Sequence, residues 1–151
     1  MRACTVVLIA SSLLGCRAAA PVESRPLYVE PRTAADPAAL PFSGAVQIGT
    51  TLYLSGHIGI DENRRVPETP EAEARAVLDG IRATLEGAGM SMDDLVYVQI
   101  FCSDVSLYDT FNEVYRTYFE REFPARAFIG SGPLLFDARF EVQGIAAKSG
   151  E

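Results

Sequence analysis

Arg126 directly follows Pro124-Ala125, and Glu141 stands fifteen residues further on. A planar guanidinium holds a carboxylate through two parallel hydrogen bonds, a geometry that Lys cannot match. A carboxylate within hydrogen-bond reach of a water can accept its proton. Each residue also has a structural reading. Arg126 fits a surface or intersubunit ion pair, and Glu141 fits a solvated strand residue that alternates with inward neighbours. Ser55 and Asn112 can both touch a ligand, and a purely structural role fits each of them equally. His57 is the only histidine; a loop or packing role suits it better than that of a base.

Other chemistries find little support. One His and three Cys without a C-x-x-C pair leave little for a zinc site and make no disulfide scaffold. Twenty acidic residues against thirteen basic ones give a net charge of -7, which argues against a phosphate-backbone binder. Cys102 falls within an apolar stretch and reads as a small core hydrophobe.

The elements that must position Arg126 and Glu141 are legible from hydrophobic spacing. Residues 45–48 and 52–55 flank Gly49 and read as a hairpin. Thr69 followed by Pro70, Glu71 and Glu73 signals a helix start, and Ala74, Leu78, Ile81 and Leu85 form one apolar stripe ended by Gly87 and Gly89. Residues 94–102 make a largely apolar strand, and residues 107–122 read as a second helix stopped by Pro124. Its aromatics Phe111, Tyr115, Tyr118 and Phe119 follow helical spacing and suit a core or an interface. Residues 127–131 and 139–147 read as strands, the last with Phe140 and Val142 alternating with Glu141 and Gln143. Glu71, Glu73, Asp93 and Asp94 read as solvated helix and turn charges. The class is α+β, a mixed sheet covered on one face by two helices.

Residues 1–15 read as a leader. Arg2 supplies a positive start, and residues 5–14 are an uncharged apolar run too short to span a bilayer. The run ends in Leu13-Leu14-Gly15-Cys16, which resembles the bacterial lipobox, where cleavage precedes a Cys that carries lipid. An ordinary signal peptide is the rival reading; a cut after Ala18-Ala19-Ala20 is poor because Pro21 follows. The expected organisation is a leader over 1–15, lipidated Cys16 with a Pro/Ala-rich tether over 16–37, and one domain over 38–151. Leu27-Tyr28-Val29 within the tether has the makings of a short strand. The expected location is the cell envelope, on an outer-membrane lipid anchor facing the periplasm.

Several stretches taken in order resemble the reactive-intermediate deaminase family (RidA, also called YjgF). They are Pro41-Phe42 and Leu54-Ser55-Gly56-His57-Ile58, then Glu73-Ala74-Arg75 with Leu78-Asp79, then Asp93-Asp94-Leu95-Val96. Val98-Gln99-Ile100-Phe101, Phe111-Asn112 with Tyr115, and Phe123-Pro124-Ala125-Arg126 with Glu141 and Gly144-Ile145-Ala146 complete the set. Together they span residues 38–147, and Pro-Ala-Arg with the downstream strand Glu is the most diagnostic part.

The resemblance implies a chorismate-mutase-like, YjgF-like α+β fold assembled as a homotrimer, with a small pocket at each subunit interface. It implies hydrolysis of enamines and imines, such as 2-aminoacrylate and 2-iminopropanoate, to 2-keto acids and ammonia, with no metal or organic cofactor. The partner is then a small imino or keto acid and not nucleic acid. By the same resemblance Arg126 holds the substrate carboxylate, Glu141 orients and deprotonates water, and Ser55 and Asn112 line the pocket. Phe42 stands where the family usually has Tyr, Phe128 where several members have Cys, and His57 where Gln is common. The alternative function is a small-ligand or protein-binding module that keeps the fold without turnover.

Overall fold

The computed structural model describes residues 25–31, 33, 35 and 40–148. The leader, Cys16 and most of the tether lie outside them. Six strands and two helices follow in chain order: β1 (Leu27–Val29), β2 (Ala45–Ile48), β3 (Thr51–Ile58), α1 (Pro70–Gly87), β4 (Leu95–Cys102), α2 (Tyr108–Tyr115), β5 (Ala125–Gly130) and β6 (Phe140–Ala147). The strands form one mixed sheet in the order β1-β2-β3-β6-β4-β5. Only β4 and β5 pair in parallel; every other neighbour is antiparallel. The expected α+β class, with two helices on one face, is the observed one. Among the described residues no helix is long and apolar enough to cross a membrane.

Local sequence builds α1. Thr69 accepts the Ala72 amide at 3.2 Å, Pro70 opens the first turn, and Glu71 and Glu73 lie at the positive end of the helix dipole. Gly89 closes it at φ +67°: its N–H reaches the Glu86 carbonyl, and that of Met90 reaches Leu85. This paired closure needs a left-handed residue, which glycine supplies without strain. The stripe Ala74, Leu78, Ile81 and Leu85 is buried throughout. Beneath it lie Val98, Ile100 and Cys102 of β4 and Phe140, Val142 and Ala146 of β6. Cys102 is the buried core thiol expected, and burial pushes its pKa up.

Four expectations are corrected. The second helix is shorter than residues 107–122: α2 ends at Tyr115 and only one 3-10 turn, Arg116–Tyr118, follows. Asp93 accepts the Glu120 and Arg121 amides at 3.1 and 3.3 Å, groups that a continuing helix would use internally. Phe119 and Phe123 also turn back onto the Tyr115 ring, at 4.7 and 6.2 Å between centroids. Asp93 is therefore a partly buried backbone clamp rather than a solvated charge.

Glu73 is the larger correction. It is fully buried, with 0% exposure. Its carboxylate accepts the Arg139 and Phe140 amides at 2.6 and 3.1 Å and pairs with the Arg139 guanidinium at 2.6 Å. Arg139 also donates to the Pro67 and Glu68 carbonyls. This cluster ties the start of α1 to the start of β6 and so fixes the strand that carries Glu141. The fourth correction concerns strand ends: β3 runs on to Ile58, and β5 begins at Ala125 rather than at residue 127.

Candidate active site

Register decides where each candidate residue points. Arg126 pairs with Val98 and Phe128 with Ile100, both buried under the helices. Arg126 and Phe128 therefore project toward α2. Glu141 pairs with Phe101 and sits between buried Phe140 and Val142, so it projects from the uncovered face. Two inter-strand spacings, with β4 between, and three residue levels separate Arg126 from Glu141, about 14 Å between Cα atoms by strand geometry. Within one chain the sheet itself stands between them.

The Arg126 side is a small pocket of about 190 Å³ shared with Asn112, Tyr108, Tyr115 and Arg116 of the α2 region. The guanidinium lies over the Tyr115 ring at 4.7 Å and near the Tyr108 and Phe128 rings at 5.8 and 5.9 Å. Stacking on aromatic faces holds it while leaving its five N–H donors open. Among the described residues no carboxylate pairs with it. Asn112 is buried, and its side-chain amide likewise makes no hydrogen bond among the described residues. Tyr115 is 3% exposed, and its enclosed hydroxyl has no hydrogen-bond partner among the described residues. Burial pushes the Tyr115 pKa up to about 12, opposed in part by the Arg126 charge, so at neutral pH the group is a proton donor. Phe128 is packed edge-on against Tyr108 and Phe111 and backs the pocket.

The other candidates line a separate open cleft of about 650 Å³ that includes Phe42, Ser55, His57 and Glu141. A bulge in β3 between Leu54 and His57 brings the strand close to Glu141. A methyl group on Gly56 would collide with the Glu141 carboxylate, so glycine is what lets that carboxylate lie over the bulge. Ser55 donates its hydroxyl to the Ser43 carbonyl at 2.7 Å and its amide to Gly44, tying the cleft wall together. Phe42 is about half exposed on the rim. His57 is on a strand rather than a loop, and its ring fills the space that a side chain at Gly80 of α1 would need. Burial lowers the His57 pKa, with Glu30 opposing, so the ring is a neutral packing element at physiological pH.

The structure thus brings Arg126, Asn112 and Phe128 together on one face, and Ser55, Phe42 and Glu141 together in the other cleft. Tyr115 was expected as core or interface, and its ring is packed as such while one face meets the Arg126 guanidinium.

Comparison with known proteins decides the family. Residues 33–148 match the family described as endoribonuclease L-PSP. The chain belongs to this family. A mite relative from Dermatophagoides farinae, called 2-iminobutanoate/2-iminopropanoate deaminase, is 36% identical over 107 residues, covering 70% of this chain and 84% of the relative. The crystal structure of RidA from the Antarctic bacterium Psychrobacter sp. superposes with a TM-score of 0.69 at 33% identity, covering 78% of this chain and 97% of that one. E. coli TdcF, crystallised with bound serine, gives a TM-score of 0.70 at 28% identity over 74% and 91% of the two chains. The RidA-like fold expected from the sequence is therefore the observed fold, and the family carries imine deaminases at about the same identity.

Proposed function

We propose that this chain hydrolyses 2-imino acids and their enamine tautomers to 2-keto acids and ammonia. One observation carries the reading: a half-buried guanidinium, Arg126, held on aromatic faces beside the amide of Asn112, with neither a carboxylate partner for the one nor a hydrogen bond for the other among the described residues. Such a group is a receptor for a planar carboxylate. The relatives called deaminases support the same assignment. In this scheme Arg126 anchors the substrate carboxylate and water adds to the imine carbon. Glu141 accepts the water proton, and the carbinolamine expels ammonia to leave the keto acid. Phe128 and Phe42 shape the walls, and neither supplies a thiol or phenol. An amino-acid oxidase coupled to the purified chain tests this: imine loss should accelerate in proportion to added protein. No acceleration, with retained binding of a keto acid, would favour the ligand-binding module.

The scheme needs the Glu141 face of one copy to meet the Arg126 pocket of another, and we propose the homotrimer that the resemblance implies. Tyr53, Ile145 and Tyr97 pair across β3, β6 and β4 on the face without helices, and both tyrosines are well exposed. An apolar sheet face of this kind calls for a cover. Because β1 belongs to the sheet, the form to measure starts before it, at about Arg17. Light scattering should give three times the monomer mass; a stable monomer would leave the site incomplete.

We also propose that cleavage after Gly15 leaves a lipid-modified Cys16 at the start of the mature chain, which anchors the domain in the envelope, at the outer membrane facing the periplasm. The motif Leu13-Leu14-Gly15-Cys16 supports this. Cys16→Ser should abolish lipid labelling and move the protein out of the detergent phase. Unchanged partitioning and mass would overturn the anchor.

A further inference from the structure

The Glu141 cleft is larger and more apolar than a three-carbon imino acid needs. Its volume of about 650 Å³ falls in the range of sites that enclose ligands of many more atoms. Its walls include Leu40, Phe42, Ile58, Ile60, Leu135 and Phe136. The uncharged polar side chains of the lining are engaged within the protein. Ser55 donates its hydroxyl to the Ser43 carbonyl, Thr84 to the Gly80 carbonyl, and Gln143 its amide to Gln99. His57 is packed against α1 and neutral. Arg64 is the single cation of the lining among the described residues, and it lies over the Phe136 ring at 5.8 Å. Glu30 and Glu141 line the same cleft, so an anionic side chain is disfavoured there. Independently, every non-glycine residue with left-handed backbone among the described residues borders this cleft. Glu30, Arg64 and Phe136 line it at φ +48°, +59° and +60°, and Asp137 follows Phe136 at +57°. Strain of this kind persists only where the surroundings enforce it, and it clusters at ligand clamps. Here it holds Leu135 and Phe136 at the cleft wall, 68% and 43% exposed, as apolar surface awaiting a cover. The second copy that the scheme brings over Glu141 supplies Arg126 and Asn112 for the carboxylate and, beside them, the half-exposed ring of Phe123. The joined site therefore keeps its apolar character.

We propose that the site selects 2-imino acids with a bulky aromatic side chain, with Phe136 as the specificity-determining residue; this rests on the hydrolase reading above. The imine carbon carries three substituents: carboxylate, nitrogen and side chain. The partner subunit's Arg126 takes the carboxylate, and Glu141 with its water faces the carbon. The side chain then runs along the apolar wall to the Phe136 ring, with Phe42 on the rim. An aryl ring gains there from two aromatic neighbours as well as from leaving water. Water adds to the C=N carbon, nitrogen leaves as ammonia, and the aryl 2-keto acid departs with its side chain unchanged. No redox partner is needed.

The test uses the full chain in detergent, with 2-imino-3-phenylpropanoate and 2-iminopropanoate generated in place by a flavin oxidase from D-phenylalanine and D-alanine. Residual imine is trapped with semicarbazide. Wild type should show the higher kcat/KM on the phenyl imine. Phe136→Ala should lower the ratio of the two kcat/KM values by on the order of tenfold, the scale of one lost aromatic contact with its buried area. Phe136→Leu should keep part of the ratio, because apolar bulk remains. Leu135→Ala, on the same wall, should lower the ratio in the same direction and serves if Phe136→Ala does not fold. Calorimetric binding of phenylpyruvate and pyruvate gives a readout independent of turnover. Tighter binding of phenylpyruvate that weakens in Phe136→Ala upholds the selectivity even if neither imine is hydrolysed, in which case the hydrolase reading alone fails. Light scattering on each variant reads assembly separately. Loss of trimer mass with equal losses toward both substrates would make this wall a contact between copies and overturn the inference. A ratio unchanged in both variants, with equal affinities for the two keto acids, also overturns it while leaving hydrolysis of 2-iminopropanoate to stand on its own.

Discussion

Arg126→Ala should lower kcat/KM for imine hydrolysis by roughly a hundredfold, about 3 kcal/mol of lost binding and orientation. The guanidinium is already desolvated on its Tyr115 face and lacks a carboxylate partner among the described residues, so truncation removes the anchor without freeing a buried acid. Arg126→Lys should recover only part: an ammonium keeps the charge but loses the planar fork and the stacking geometry. Glu141→Gln should behave differently. It should retain pyruvate binding yet slow turnover, because an amide can position water but is a poor base. The two variants therefore separate into a binding defect and a defect in the chemical step, read by calorimetry and by the oxidase-coupled assay. Folded variants of both residues that keep wild-type rates would show the assigned mechanism to be wrong.

Glu73→Ala should destabilise the domain by about 3–5 kcal/mol, the usual cost of breaking a buried ion pair from one side. The loss would strand the Arg139 guanidinium and two backbone amides, those of Arg139 and Phe140, that the carboxylate now satisfies. Against a typical stability of about 5–15 kcal/mol this is a large fraction. Urea unfolding should show the midpoint falling with little change in slope. Glu73→Gln should be intermediate, since its amide oxygen can still accept while its NH2 meets donors. Because β6 carries both Arg139 and Glu141, partial loosening should also lower turnover before the fold is lost. A change under about 1 kcal/mol would mean that solvent can replace the cluster.

The contrast between Glu73 and Thr69 shows where sequence reading stops. Thr69 acts on the amide of Ala72, three residues away, so its role follows from local order. Glu73 acts on residues 66 and 67 positions distant, and its place in a helical first turn looks the same whether it is solvated or buried. The end of α2 follows the same logic. Helical spacing continues past Tyr115, but Asp93 captures the next amides from 27 and 28 positions away.

Sequence by itself determined the α+β class, the extent and caps of α1, the buried stripe, the alternation of β6, the burial of Cys102 and the family. Each of these rests on interactions within a few residues, on a period of 2 or 3.6, or on ordered motifs along the chain. Only the tertiary structure decided that Arg126 and Glu141 lie on opposite faces, that Asn112 and Tyr115 share the Arg126 pocket, and that Gly56 and Gly80 make room for Glu141 and His57. Those facts depend on strand order and register. A shift of one residue in register turns every side chain to the other face, and no local pattern along the chain records which neighbour a strand will find.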